Sequence, residues 1–293
     1  MVHLEPCEDI QISIEGLELC AKVWGPPEAP PVLCLHGWLD NAATFDGLAP
    51  RLPGWRLVAL DLPGHGRSSH NPAGFPYAFI DWVAVVHEVV HRLGWSTLTV
   101  MGHSLGAAIA AVWAGTFPRR VERLILLEGL GPLTDAPEDA PKRLARAIEE
   151  ERAKRGRTPT VHADLETVVA RLGQTVQRLS PQAAEVLVRR GLKEVDGGVT
   201  WRSDPRLRIA SRLRLTEPQV LAFLRAIECP TLLVRASAGY PFASDGGEAR
   251  IRAIRDLEVV QLPGSHHVHL EDPESVAAAV LRFLESGTQK PLG

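Results

Sequence analysis

Sulfur, aromatic rings and net charge are all scarce in this chain. Four cysteines and two methionines occur in 293 residues, and Phe, Trp and Tyr together make up 5%. Cys7, Cys20, Cys34 and Cys229 are spaced too widely for a zinc knuckle or a disulfide framework. Cys34 lies in an apolar run and reads as a small core residue, in keeping with a reducing compartment. A formal charge of -3 excludes the strong basic field that draws a protein to nucleic acid or to anionic membrane. The apolar stretch from Ala107 to Phe117 falls short of the ~20 residues a membrane span needs. The start lacks the basic-then-apolar order of a secretory leader, and the Lys290-Pro291-Leu292-Gly293 end is not a peroxisomal address. A cytoplasmic location is therefore the expectation.

What is present has the balance of a globular protein, with 45% hydrophobic and 23% charged residues, and is long enough for one large α/β domain. Ile10, Ile12 and Ile14 alternate, Glu15-Gly16 turns, and Leu19 to Trp24 returns, which predicts a hairpin. Short apolar runs follow at Val32–Leu35, Leu57–Leu60, Leu98–Met101 and Arg123–Leu127. Such runs suit strands buried on both faces of a parallel sheet. Helical spacing fills the gaps: Val83, Val86, Val90 and Leu93 in one segment, Leu105 to Phe117 in another. From Pro132 to about Glu228 helical patterns dominate, and Lys142 to Arg157 reads as a solvated helix face. Strand signals resume at Thr231–Val234 and Leu257–Leu262, before a last helix from Pro273 to Leu284. The expected layout is an α/β core of residues 1–131 and 229–293, with a helical cap of residues 132–228 roofing the strand ends.

Gly102-His103-Ser104-Leu105-Gly106 fits G-x-S-x-G between a strand and a helix, the context of a nucleophile elbow. A serine on so sharp a turn needs small residues two before and two after it, because the flanking backbones pass closely. The helix behind Ser104 also favours developing negative charge. His36-Gly37-Trp38 follows the strand Val32–Leu35 directly, where this arrangement takes one oxyanion amide; Trp38 is assigned that amide and Leu105 the other. His36, Gly37 and His103 are expected to line the substrate site, with His36 also suited to a buried hydrogen-bonding role. Asp61, His65 and Ser68 crowd one loop and read as turn-builders.

The chain order nucleophile, acid, histidine places the base in the late loop Gly264-Ser265-His266-His267-Val268-His269. His266 is preferred for its place after the Gly-Ser turn; His267 and His269 compete. No matching cysteine or carboxylate set accompanies them, so no metal is expected. The loop after Thr231–Val234, Arg235-Ala236-Ser237-Ala238-Gly239-Tyr240, carries no carboxylate. The acid is then Glu128, at the end of Leu124–Leu127 where a charge needs a partner, or Asp245; Glu128 is preferred.

These stretches, together with Pro31–Asn41, Val58–Gly66 and Trp201–Leu207, resemble the serine hydrolase-like family of the α/β-hydrolases over nearly the whole chain. The resemblance implies an α/β-hydrolase fold: a mostly parallel sheet of about eight strands, helices on both faces and a helical lid before the last strands. It also implies a serine hydrolase without a cofactor, and leaves the natural substrate open. In layout the chain is similar to haloalkane dehalogenases and epoxide hydrolases, but those use aspartate where this chain has Ser104. Family members often carry Asp where this chain has Glu128. The expected chemistry is cleavage of a small carboxylic ester through Ser104, His266 and an acid. An acyltransferase or a C–C bond hydrolase would use the same residues, and a non-catalytic binding protein is the reading outside enzymes. Leu130, Leu133, Leu172 and Leu179 are candidate pocket walls. A small-molecule ester is the expected partner, without nucleic acid or membrane, for a monomer or homodimer.

Overall fold

The computed structural model describes residues 7–156, 159–173, 179–240 and 247–286. The opening alternation forms an antiparallel hairpin of β1 (Glu8–Ile14) and β2 (Leu17–Trp24), turned at Gly16 with φ 75°. Then come β3 (Pro31–Leu35), β4 (Arg56–Leu60), α1 (Phe79–Arg92), β5 (Leu98–His103), α2 (Leu105–Thr116) and β6 (Val121–Leu127). Next in the chain are α3 (Ala140–Lys154), α4 (Leu165–Gly173), α5 (Pro181–Gly191), β7 (Leu192–Val195), β8 (Gly198–Trp201) and α6 (Glu217–Arg225). The chain ends in β9 (Thr231–Ala238), α7 (Gly247–Ala253), β10 (Leu257–Ser265), α8 (Val268–Glu271) and α9 (Pro273–Glu285).

Eight strands form one sheet in the order β1-β2-β4-β3-β5-β6-β9-β10. From β4 to β10 every neighbouring pair is parallel; β2 meets both β1 and β4 antiparallel. Side chains alternate between faces, so each strand feeds two cores. Leu33, Leu35, Val58, Leu60 and Val100 pack with α1, α2 and α6. Val32, Cys34, Leu57, Ala59 and Met101 pack with α9 and with Phe45 and Leu48. The fold is that of an α/β hydrolase.

The segment between β6 and β9 differs from its expected form in two ways. β7 and β8 make a hairpin of their own within a stretch that reads as helical. The last helix, α6, packs on α2 so closely that a Cβ on Gly115 would strike the Phe223 carbonyl. Val220 and Leu224 of α6 join the sheet's core, so α6 is a layer of that core although the expected cap boundary at 228 encloses it. α4 and α5 join two small clusters, one around Leu187 with Leu179 and Leu270 of α8, the other around Val188 with Val168. The charged stretch of α3 pairs with itself one turn apart, Arg146 with Glu150 at 2.7 Å. Among the described residues no helix is long and apolar enough to cross a membrane.

Candidate active site at the strand ends

Parallel strands deliver their following loops to one edge of the sheet, where open α/β sheets bind ligands. Ser104 lies there, between β5 and α2, at φ 51° and ψ -109°. A non-glycine residue in that region costs about 1–3 kcal/mol and persists only where its surroundings hold it. Two glycines allow the bend. A Cβ on Gly102 would collide with the backbone of Gly106, and one on Gly106 with the carbonyl of Leu35. The Ser104 amide donates to the Leu127 carbonyl at 3.0 Å, locking the elbow to β6. Leu105 opens α2, so its amide lacks an intrahelical partner and points past the helix end.

Glu128 follows β6 directly, also at positive φ (52°), and is 2% exposed. Its amide donates to the Val234 carbonyl at 2.9 Å. Its carboxylate reaches across to the end of β9. Oε1 accepts from the Ala236 amide at 2.5 Å, and Oε2 from the Tyr240 amide at 2.8 Å. The same Oε2 lies 3.1 Å from His266 Nδ1. Gly239 clears the space, since any Cβ there would overlap the carboxylate. The stretch from Ala236 to Tyr240, which has no carboxylate of its own, supplies amides to the one that follows β6. The extra methylene of glutamate provides the reach. Asp245, the other candidate acid, lies outside the described residues.

The three late histidines separate cleanly. His266 meets Glu128 and keeps 19% of its side chain exposed. His267 is sealed and turns Nε2 to Asp40 at 3.2 Å. His269 is sealed and lies 2.7 Å from the Thr44 hydroxyl. With Nδ1 committed to Glu128, His266 has Nε2 left to exchange a proton with a hydroxyl or a leaving group.

The expected substrate-lining role of His36 and His103 is corrected by their burial. His36 is fully enclosed: Nδ1–H donates to the Gly37 carbonyl at 2.7 Å, and Nε2 accepts from the Leu62 amide at 3.0 Å. Burial pushes it down to about 4, so the ring is neutral and serves to hold two loops. His103 is also enclosed, and its Nε2–H donates to the His266 carbonyl at 3.0 Å. Both rings face protein groups: His36 packs on the His65 ring, and His103 on the rings of His266, His267 and His269. Gly37 turns toward this interior too: a Cβ there would sit 2.8 Å from Asp40 Oδ2 and 2.8 Å from His103 Nδ1. Trp38 is 46% exposed, and its indole N–H ties the loop to the Leu207 carbonyl at 3.2 Å. Of the candidate pocket walls, Leu130 belongs to the sheet's core and Leu179 to the inserted helices, while Leu133 is 55% exposed.

Two polar anchors of the inserted segment escape sequence reasoning. Asp61, read as a turn-builder, is fully buried and binds the Ala42 and Arg67 amides at 2.7 and 2.9 Å. It also holds the Arg190 guanidinium of α5 at 2.8 Å, and Arg190 reaches Asp9 at 2.8 Å. The available signal was an arginine on the apolar face of α5, three residues after Leu187. Asp204 receives the Tyr77 hydroxyl at 2.8 Å and pairs with Arg206, which donates to the Pro72 carbonyl at 3.0 Å.

Residues 30–273 match the family model described as the alpha/beta hydrolase fold. The chain belongs to the α/β-hydrolase family, among the serine hydrolase-like proteins. It is 37% identical over 280 residues to the serine hydrolase-like protein of Danio rerio, covering 92% of this chain and 85% of the relative. Its structure is similar to that of the hypothetical protein PA1622 from Pseudomonas aeruginosa PAO1, with a TM-score of 0.90 at 42% identity, covering 97% of this chain and 100% of that one. It is also similar to the thioesterase domain from the curacin biosynthetic pathway, with a TM-score of 0.83 at 30% identity over 94% of this chain and 100% of that domain. Within this family the elbow at Ser104 and the pair His266–Glu128 occupy loops after β5, β6 and β10 of one sheet edge.

Proposed function

We propose that the protein is a serine hydrolase of acyl compounds, with Ser104 as nucleophile, His266 as base and Glu128 as the acid that orients it. The observation that carries this reading is the 3.1 Å contact of His266 Nδ1 with a carboxylate already held by two amides. That arrangement sets the tautomer of His266 and stabilises the imidazolium formed when Nε2 takes the Ser104 proton. The serine oxygen then attacks the substrate carbonyl, and the amides of Leu105 and Trp38 receive the oxyanion; each such donor supplies ~3 kcal/mol. The proton passes from His266 to the departing alkoxide or thiolate, leaving an acyl-serine. Water, deprotonated by His266, releases the acid. The segment between β6 and α6, latched by Arg190 and Arg206, acts as the lid that shapes the acyl pocket.

Carboxylic esters are the first substrate class. Thioesters are the second, favoured by the 30% identity to the curacin-pathway thioesterase domain. A fluorophosphonate probe tests the proposal. Labelling of the wild-type protein and its loss in Ser104→Ala is the expected result; an unlabelled wild type beside a labelled control enzyme overturns it. A panel of acyl esters and matched thioesters of graded length then separates the two classes by kcat/KM.

A further inference from the structure

Behind His266 three loops bring a second donor set together. Asp40 comes from the loop after β3, His103 from the end of β5 and His267 from the loop after β10. All three side chains are sealed, at 5%, 1% and 1% exposure. One ligating atom from each lies within 4.8 Å of the other two. We propose that Asp40 Oδ2, His103 Nδ1 and His267 Nε2 form a buried site for a divalent transition-metal cation, Zn2+ or Co2+.

The hydrogen bonding of His103 is the decisive observation. Its Nε2 meets the His266 carbonyl at 3.0 Å, and a carbonyl can only accept, so Nε2 carries the proton. A neutral ring then has a bare lone pair on Nδ1. That atom is shut away from solvent without a hydrogen-bond partner. It faces Asp40 Oδ2 at 3.3 Å, and Asp40 is itself an acceptor. Two acceptors 3.3 Å apart in a dry interior repel, and a cation coordinated by both relieves that repulsion.

A metal ion resolves the conflict with the donors already present. Ligating histidines commonly donate their other ring N–H to a carbonyl, as His103 does to His266. Zinc bonds of about 2.0–2.1 Å set neighbouring tetrahedral donors about 3.3 Å apart. Two of the three edges are 3.3 Å, from Asp40 to His103, and 3.2 Å, from Asp40 to His267; the third, from His103 to His267, lies within 4.8 Å. Two imidazoles and one carboxylate are a zinc-type set, leaving the fourth position for water. Gly37 keeps the space beside Asp40 and His103 clear of a side chain. A cation there would cross-link the loops that carry Trp38, Ser104 and His266. This inference stands whether or not Ser104 is the nucleophile, because its test reads metal and not turnover.

The experiment uses the intact chain, treated with chelator and then either incubated or refolded with Co2+ or Zn2+ and desalted. One retained equivalent is expected, with tetrahedral cobalt absorption and a raised Tm, because a ligand of the folded state alone stabilises it. Asp40→Asn and His267→Gln should lose the retained metal, while Ser104→Ala keeps it. Anomalous diffraction from wild-type crystals grown with Zn2+ should give a peak between the three donors, a reading independent of whether the variants fold. Wild-type protein that retains no metal after refolding overturns the site, as does an anomalous peak elsewhere.

Discussion

Two carboxylate–imidazole pairs lie side by side at the sheet edge and differ in their surroundings. Glu128 and His266 meet at 3.1 Å with the ring 19% exposed; Asp40 and His267 meet at 3.2 Å with the ring 1% exposed. Distance does not separate them. Access does, because a general base must pass a proton to a bound molecule, and a sealed ring can serve only fixed neighbours. Burial also works against the charge of His267, yet its carboxylate neighbours, Asp40 foremost, raise the ring above its ordinary value, so a cation bound at Nε2 would displace a proton. In turn, burial opposes ionisation of Asp40, but His267 and His103 hold it well below the usual carboxylate range. The sealed pair faces only fixed neighbours, and the half-open pair has a free nitrogen.

The largest expected effect comes from removing Ser104, the proposed nucleophile. Ser104→Ala should lower kcat against any accepted ester by ~10^4-fold or more. Unchanged turnover would dissociate the open pair from catalysis. Next, Glu128→Gln keeps the side chain's length but removes the charge proposed to fix the His266 tautomer. A loss in kcat of ~10^3-fold is expected, against a small change for Asp245→Asn. The reverse ranking moves the acid role to Asp245.

The third effect is on stability. Arg190→Ala leaves Asp61 buried without its cation, which should cost about 3–5 kcal/mol in denaturant unfolding. A loss below 1 kcal/mol would show that the latch is not coupled to the core. The smallest effect tests burial itself, on rings outside both pairs. His36 and His65 are fully buried, and burial lowers them from 6.5 to about 4 and about 3. Below pH 6.5 the unfolded chain takes up protons that the folded form refuses. Stability is therefore full above pH 6.5 and lost as pH falls toward 4, at roughly 1–2 kcal/mol per pH unit. His65→Gln should flatten that slope; a pH-independent urea midpoint between pH 7 and 5 would refute the assignment.

Most of the sheet could be read from the chain. Val32–Leu35 and Leu98–Met101 are apolar because both faces of their strands are covered, and that requirement is written locally. The elbow could be read as well, since Gly102 and Gly106 answer steric demands within five residues. The hairpin Leu192–Trp201 could not, because its strands are four residues each, too short to show a period. Nor could the place of α6, whose amphipathic pattern would suit a lid or a layer equally. The pairing of Arg190 with Asp61 joins positions 129 apart in sequence and leaves no local trace.

The sequence by itself determined which residue types could do chemistry and where strands and helices begin, because steric fit at a turn and side-chain periodicity act over a few residues. Only the tertiary structure decided which histidine met which carboxylate. Three imidazoles in four positions carry the same chemistry; the burial of two and the exposure of one follow from which distant loops cover them, and packing alone decides that.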